Sequence, residues 1–138
     1  MKQLFLFLAL ITLGALNTLQ ARPQFPVATE ELRLEGAQAH LTGKPNQVAV
    51  YARGLVCSSC GIGLRIHIGK LDGLDESALD EGMQLDAKNQ LVLIAYKADH
   101  GVDTDAVYKA VHKAGYEPTH YYQWDGQSVQ IHTFKEAK

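Results

Sequence analysis

The sequence predicts an α+β fold, because segments with a two-residue hydrophobic period alternate with segments whose apolar residues recur every three or four positions. Strand-forming segments lie at residues 48–52, 83–86, 91–96 and 119–124. Helical spacing is found at residues 58–70 and again after Asp103. In chain order these segments read β-α-β-β-α-β.

Each predicted helix ends at a glycine, and the second also has a capping residue. The first ends at Asp72-Gly73, and the second begins after Asp103 and ends at Gly115. Residues 87–90 read as the turn between the second and third strands. The apolar stripes contain Leu64, Ile68 and Leu71 in the first helix, and Val107, Ala110, Val111 and Ala114 in the second.

This order of elements predicts a ferredoxin-like sandwich, in which two helices pack on one face of a four-stranded antiparallel sheet. Residues 48–124 would form this domain. Residues 22–47 contain three of the four prolines and read as an irregular extension, with a short pairing segment at 37–41. Residues 125–138 form a C-terminal tail, in which 129–134 alternate as a candidate extra strand after the Asp125-Gly126 turn signal.

The N-terminus has the layout of a cleavable secretory signal peptide. Lys2 precedes an apolar run, and the small residue Ala21 follows it. We expect cleavage after Ala21, so that residues 1–21 are removed and the protein is periplasmic or otherwise exported. An uncleaved membrane anchor is the alternative, but Thr12 and Gly14 interrupt the apolar stretch. No stable membrane insertion is expected after cleavage.

The charge and cysteine content narrow the class of function. The chain has 13 basic and 15 acidic residues and no basic patch, which argues against a nucleic-acid partner. Its only two cysteines, Cys57 and Cys60, are separated by two residues. A disulfide between them would close a loop too small to stabilise the folded chain strongly. The pair is therefore interpreted as a chemical site.

The Cys57-Ser58-Ser59-Cys60 motif lies where a predicted strand gives way to a predicted helix. Near a helix N-terminus the peptide dipole favours thiolate over thiol. Two thiolates suit a soft ion of low coordination number such as copper(I) or mercury(II). Zinc(II) fits less well, because it normally takes four ligands. Thiol–disulfide exchange and an inert disulfide remain as alternatives.

Three motifs together resemble the heavy-metal-associated domain family, which includes copper chaperones and the periplasmic mercury-binding protein. The loop reads Gly54-Leu55-Val56-Cys57-Ser58-Ser59-Cys60, the first helix closes with Leu71-Asp72-Gly73-Leu74, and the second with Ala114-Gly115-Tyr116. The resemblance covers residues 48–124. The chain differs from the family at Leu55, where methionine is usual, and in its longer link between the first helix and the second strand, at residues 75–82.

The resemblance implies that Cys57 and Cys60 are the metal ligands and that the metal passes to another protein by ligand exchange. The partner would be a metal-transporting membrane protein or another metal donor or acceptor. Tyr116 would lie beside the metal loop or close the helix end as a core aromatic. Lys113 would lie near the thiolates or be an ordinary solvated lysine.

The sequence contains no other recognisable arrangement of metal-binding, redox or catalytic residues. The histidines form no cluster, so His67 is expected to be a partly buried core residue, and His120 and His132 ordinary surface residues. A thioredoxin fold would need a βαβ unit before Cys57, and residues 22–47 are too short for one. No catalytic triad, phosphate loop or carboxylate pair is recognisable, so an enzyme is not predicted. The alternatives to metal transport are a periplasmic thiol–disulfide exchange protein and a non-metal interaction module.

Overall fold

The structure is a computed structural model that describes residues 27–135. Within them the chain forms three α-helices and five β-strands. In chain order these are α1 (Glu30–Leu41), β1 (Gln47–Arg53), α2 (Ile62–Ile68), β2 (Met83–Asp86), β3 (Leu91–Ala95), α3 (Thr104–Lys113), β4 (Glu117–Trp124) and β5 (Val129–Thr133). A single turn of 3₁₀ helix at Ser58–Gly61 leads into α2.

The strands form one antiparallel sheet with the order β2-β3-β1-β4-β5. β1 is central and five of its residues are buried in succession. A strand that is covered on both faces loses the polar–apolar alternation of a strand that has one face in water.

The predicted ferredoxin-like sandwich is wrong for this protein. The prediction placed two helices on one face of a four-stranded sheet, whereas the described residues form a five-stranded sheet and three helices. β5 adds a strand beside β4, with Tyr122 opposite Ile131. α1 adds a helix on the other face of the sheet from α2 and α3. The four-stranded prediction left residues 129–134 outside the sheet as a candidate extra strand of the C-terminal tail, and it contained no helix before β1.

α1 also corrects the expectation of an irregular extension at residues 22–47, since residues 30–41 are helical and the short pairing segment expected at 37–41 lies within this helix. The Thr29 hydroxyl accepts a hydrogen bond from the Leu32 amide at 3.3 Å and so caps the helix. Glu30 and Glu31 lie in the first turn, where carboxylates interact favourably with the helix dipole. The prolines that suggested irregular structure fall outside the helix bounds.

Two apolar clusters lie on opposite faces of the sheet, and alternate residues of β1 supply both. Val48, Val50 and Ala52 face α2 and α3, whereas Ala49 and Tyr51 face α1. The cluster under α1 also contains Ala37, Leu41, Leu91, Leu93 and Tyr122. This three-layer arrangement explains why β1 and β3 are apolar on both faces, without the two-residue period from which the strands were predicted.

The long link between α2 and β2 is held by backbone hydrogen bonds. The Asp75 amide bonds to the Ala95 carbonyl at 2.9 Å, and the Ala95 amide bonds to the Gly82 carbonyl at 2.8 Å. Asp80 also accepts from Arg65 of α2 at 2.6 Å. The segment that departs from the family pattern is therefore fixed to the end of β3.

The predicted signal segment, residues 1–21, lies outside the described residues. Over residues 27–135, no helix is both long and apolar enough to cross a lipid bilayer.

Candidate functional site

Cys57 follows the central strand after a three-residue loop. Its backbone is extended (φ −153°, ψ 151°), and the 3₁₀ turn at Ser58–Gly61 begins with the next residue. The backbone of Cys60 lies in this turn, while its side chain lies outside the described part of the protein. The two predicted ligands thus occupy one short turn where β1 gives way to α2.

Cys57 is disulfide-bonded and partly exposed. The Ser59 hydroxyl donates a hydrogen bond to its sulfur at 3.5 Å. Disulfide sulfur carries no thiolate charge, and the thiolate is the form that ligates metals. The structure therefore represents an oxidised site that must be reduced before Cys57 can bind a metal ion.

Leu55 anchors the loop before Cys57 in the core. Its side chain is fully buried in the cluster beneath α2 and α3, and its amide bonds to the Ala52 carbonyl at 3.1 Å. Gly54 has φ +96°, in the left-handed region that favours glycine. The leucine thus takes the buried place that the resemblance expected for methionine.

Tyr116 lies against the start of the same loop. Its Cδ1 is 3.9 Å from the position that a Cβ atom on Gly54 would occupy, and its ring packs against the core cluster. The two interpretations of Tyr116, a residue beside the metal loop and a core aromatic, both match this placement.

Two glycines at the beginning of α2, Gly61 and Gly63, face residues of β2 and of the end of α3. A Cβ atom on Gly61 would overlap the Leu85 side chain of β2, and one on Gly63 would lie 3.4 Å from the Ala114 carbonyl oxygen. Both glycines lower helix propensity, by roughly 1 kcal/mol each. Close approach of β2 explains the glycine at position 61, whereas a Cβ atom on Gly63 would make only ordinary van der Waals contacts.

Sequence reasoning missed an apolar rim around the cysteine turn. Val56, Ile62 and Ile66 are 42%, 69% and 53% exposed, although all three are large hydrophobic residues. Their position off the stripe formed by Leu64 and Ile68 was a usable signal. Exposed apolar groups close together on a surface often mark a contact site.

The structure gives the exposure or local contacts of Lys113 and of the three histidines discussed above. Lys113 is the exposed last residue of α3. His67 is partly buried, as predicted, and His120 bonds to the Thr119 hydroxyl at 3.0 Å. His132 stacks on Tyr121, with ring centroids 4.9 Å apart. Among the described residues no three His, Cys, Asp or Glu side chains form a group that could hold a metal.

A cavity of about 320 Å³ lies at the other end of β1 from Cys57. It is lined by the turn before β1 and by the end of β3, including Gln47 and Tyr96. The side-chain amide oxygen of Gln47 (Oε1) and the Tyr96 hydroxyl are buried without a hydrogen-bond partner among residues 27–135. Burial, with a smaller effect from Asp103, raises the pKa of Tyr96 to about 12.

Comparison with known protein families, with curated proteins and with solved structures finds no match to this chain. Membership of the heavy-metal-associated domain family therefore stays a prediction from the residues quoted above.

Proposed function

We propose that the reduced protein carries one soft metal ion, copper(I) or mercury(II), on the thiolates of Cys57 and Cys60. The metal is cargo that passes to another protein by ligand exchange, so the protein is a carrier rather than an enzyme. Two ligands leave room for an incoming thiolate, and transfer can then proceed through a three-coordinate intermediate instead of a bare ion.

The observation that carries the proposal is that the backbones of Cys57 and Cys60 lie at one short turn before α2. Cys57 is partly exposed, and its loop is fixed on one side by the buried Leu55. The turn is short and directly precedes α2, whose N–H groups favour negative charge at its start. The three motifs shared with the heavy-metal-associated domain support the same chemistry.

The disulfide at Cys57 adds a condition to this function. Metal capacity should equal the fraction of the protein in which the pair is reduced, because a disulfide has no thiolate to offer. A thiol donor in the same compartment would therefore switch the carrier on.

The same proposal places the protein outside the cytoplasm after removal of residues 1–21. The N-terminal composition supports export, and disulfides persist in oxidising compartments. Intact-mass measurement of protein isolated without reductant tests this directly. A mass that retains Met1 would contradict cleavage.

The decisive experiment is an anaerobic titration of the reduced protein with copper(I), mercury(II) and zinc(II). We expect one copper(I) or mercury(II) ion per chain and weaker binding of zinc(II). The Cys57→Ser, Cys60→Ser double variant should lose this binding, and Ser59→Ala is a matched control that keeps both sulfurs. Equal binding by the double variant would disprove the site.

A second candidate function is thiol–disulfide exchange, favoured by the disulfide-bonded and partly exposed Cys57. A partner thiolate would attack this disulfide, forming a mixed disulfide and releasing one cysteine thiolate. A second thiolate of the partner would then attack the mixed disulfide, so that the partner's two thiols are oxidised to a disulfide and the cysteine pair is released in its reduced form. A protein that oxidises a reduced, unfolded substrate with turnover, and binds no soft metal when reduced, would support this second function over the first.

A further inference from the structure

We propose that β5 is a docking edge for a second copy of this chain, which adds its own β5 in antiparallel orientation and joins the two five-stranded sheets into one. This surface is separate from the cysteine turn. The inference therefore goes beyond the proposed function and depends neither on metal binding nor on thiol exchange.

β5 forms one of the two edges of the sheet, since the strand order is β2-β3-β1-β4-β5. Val129 is partly buried, and the other four residues of the strand are exposed. Pairing with β4 runs in unbroken register from Val129 to Thr133, without the irregularity that is found between β1 and β4. β5 is therefore a regular strand with one side already paired.

Alternate residues of β5 direct their backbone groups away from β4. The Phe134 amide donates to the Thr119 carbonyl at 3.2 Å and continues the β4–β5 ladder past the end of the strand. The direction of these groups alternates along an antiparallel strand, so Gln130 and His132 also bond to β4. The outward-facing N–H and C=O groups are those of Val129, Ile131 and Thr133. Within residues 27–135 none of them makes a backbone hydrogen bond outside the β4–β5 pairing.

The sequence of β5 carries none of the features that usually protect a sheet edge. Natural edges contain lysine, proline or a bulge, or are covered by another segment, because unpaired backbone groups recruit a further strand. β5 reads Val-Gln-Ile-His-Thr, without proline, glycine or a formal charge at neutral pH. At the other edge, the amide and carbonyl of Met83 in β2 both bond to Asp80, at 3.2 Å each. The chain's own link thus covers part of one edge, whereas the described residues provide no such cover for β5.

β5 is complementary to itself in one register. A two-fold axis beside Ile131 places this residue opposite the same residue of the second copy, and Val129 opposite Thr133. Each of these pairs exchanges two backbone hydrogen bonds, so every outward N–H and C=O group of both strands is bonded. A shift by two residues would leave outward groups of both strands unpaired.

The side chains that meet in this register also match. Val129, Ile131 and Thr133 are β-branched, and such residues pair well across neighbouring strands. Ile131 is 39% exposed, and the contact with its counterpart would cover it. Gln130 would lie opposite His132 of the second copy, where the two polar side chains can form a hydrogen bond.

Charge complementarity favours a second copy over an unrelated peptide. In the antiparallel arrangement the exposed Lys135, two residues after Thr133, comes beside the β4–β5 turn of the second copy, which carries the exposed Asp125. Backbone hydrogen bonds from Ser128 and Gln127 lower the pKa of Asp125, so this carboxylate is charged at neutral pH. The two-fold axis repeats the same contact at the other end of the strand pair.

This arrangement covers neither cysteine turn. β1 and β5 are both antiparallel to β4, so Cys57, which follows β1, lies towards the Thr133 end of β5. In the second copy that end points the opposite way. The two cysteine turns therefore lie at opposite ends of the joined sheet, and one metal ion per chain is compatible with either oligomeric state.

Sedimentation equilibrium of the protein, purified as the cell processes it, tests the association from micromolar to millimolar concentration. We expect the mass to rise from that of one chain to that of two. The Cys57→Ser, Cys60→Ser variant should behave in the same way, which excludes a dimer linked by a disulfide. This variant also separates failure of the inference from failure of the metal-binding proposal.

Ile131→Lys should raise the dissociation constant by about tenfold, because two lysines would then face each other across the two-fold axis. Ile66→Lys is the matched control, since it makes the same change at another exposed isoleucine, on α2. This control should associate like wild type. Circular dichroism of both variants checks that they fold.

Amide hydrogen exchange measured by NMR identifies the strand that forms the contact. The amides of Gln130 and His132 should be protected at every concentration, because they bond to β4. The outward-facing amides of β5 should exchange rapidly in dilute protein and become protected as the mass doubles. This alternation needs no variant, so it tests the inference even if Ile131→Lys does not fold.

The mass of one chain at every concentration would overturn the inference. An association that Ile66→Lys weakens and Ile131→Lys does not would place the contact at the apolar rim around the cysteine turn, and would also overturn it. Outward-facing amides that are protected while the mass is that of one chain would show that a different segment covers β5, which excludes the second copy as the occupant.

Discussion

The Leu85 side chain occupies the space that a side chain on Gly61 would need. This relationship joins a residue of β2 to the residue that follows Cys60, across more than twenty positions of sequence. It means that the turn carrying the cysteines is shaped by a strand formed later in the chain.

Gly61→Ala is therefore expected to destabilise the protein by about 1 kcal/mol, since overpacking against Leu85 outweighs the gain in helix propensity. Urea unfolding of the oxidised protein would measure this change. The Leu85→Ala, Gly61→Ala double variant should show a smaller loss than the sum of the two single changes. Additive losses would show that the two side chains do not compete for space.

Gly36→Ala and Gly63→Ala should have opposite effects, although both place alanine in a helix. A Cβ atom on Gly36 would meet three atoms of Asn89 at 2.6–2.9 Å, whereas one on Gly63 would meet Ala114 at ordinary distances from 3.4 Å. We expect Gly36→Ala to lose about 1–2 kcal/mol of stability and Gly63→Ala to be neutral or slightly stabilising. Thermal unfolding of both variants at one pH tests this, and equal effects would refute the close approach at Gly36.

Asp86 should make the protein more sensitive to acid. Partial burial alone would raise the pKa of this carboxyl, but the side-chain and backbone hydrogen bonds of Asn89, with the bond and charge of His40, lower it below its ordinary 3.8. A carboxyl with a lowered folded-state pKa adds stability above its ordinary pKa and loses it as pH falls through the folded value. Asp86→Asn should thus narrow the stability difference between pH 7 and pH 3. An unchanged difference in urea unfolding would exclude this role.

Tyr96→Phe should be neutral or stabilising by up to about 1 kcal/mol, because the buried hydroxyl has no partner within residues 27–135 and its removal leaves no group unpaired. The substitution should also remove the phenol whose pKa is about 12 from an ultraviolet tyrosine titration. A clear loss of stability would indicate that the hydroxyl is bonded in solution. Tyr122→Phe offers a matched buried control on the other face of the sheet.

Much of the local structure could be predicted from the sequence, because its signals are local. Asp103 caps α3 as predicted, and its side chain accepts a hydrogen bond from the Ala106 amide at 3.0 Å. β2 spans Met83–Asp86, the segment in which alternating apolar residues indicated a strand. α1 was missed because its burial is confined to small residues and one leucine. The Thr29 cap followed by Glu30 and Glu31 was the signal that prolines on either side obscured.

For the candidate site, the sequence predicted that Cys57 and Cys60 lie at one strand-to-helix junction, and the resemblance to the heavy-metal-associated domain implied a core position for Leu55, which is buried. The packing of Leu85 beside Gly61 and the hydrogen bond from the Ala52 amide to the Gln90 carbonyl oxygen were not predictable. Both contacts join segments far apart in sequence, and their partners are decided by the register of the sheet. The exposure of Ile62 and Ile66, by contrast, could have been predicted, because both residues lie off the stripe formed by Leu64 and Ile68.

The attachment of α1 also has a consequence for folding. The helix comes first among the described elements, but His40 in its last turn bonds to Asp86, 46 residues later, and Ala28 just before it bonds to the Gln90 side chain, 62 residues later. During synthesis these partners do not yet exist when α1 leaves the ribosome, and a short helix alone in water is marginal. Contacts of such large sequence separation form slowly. The first helix of residues 27–135 is thus among the last of their elements to be fixed, and the β2–β3 hairpin must close before it can dock.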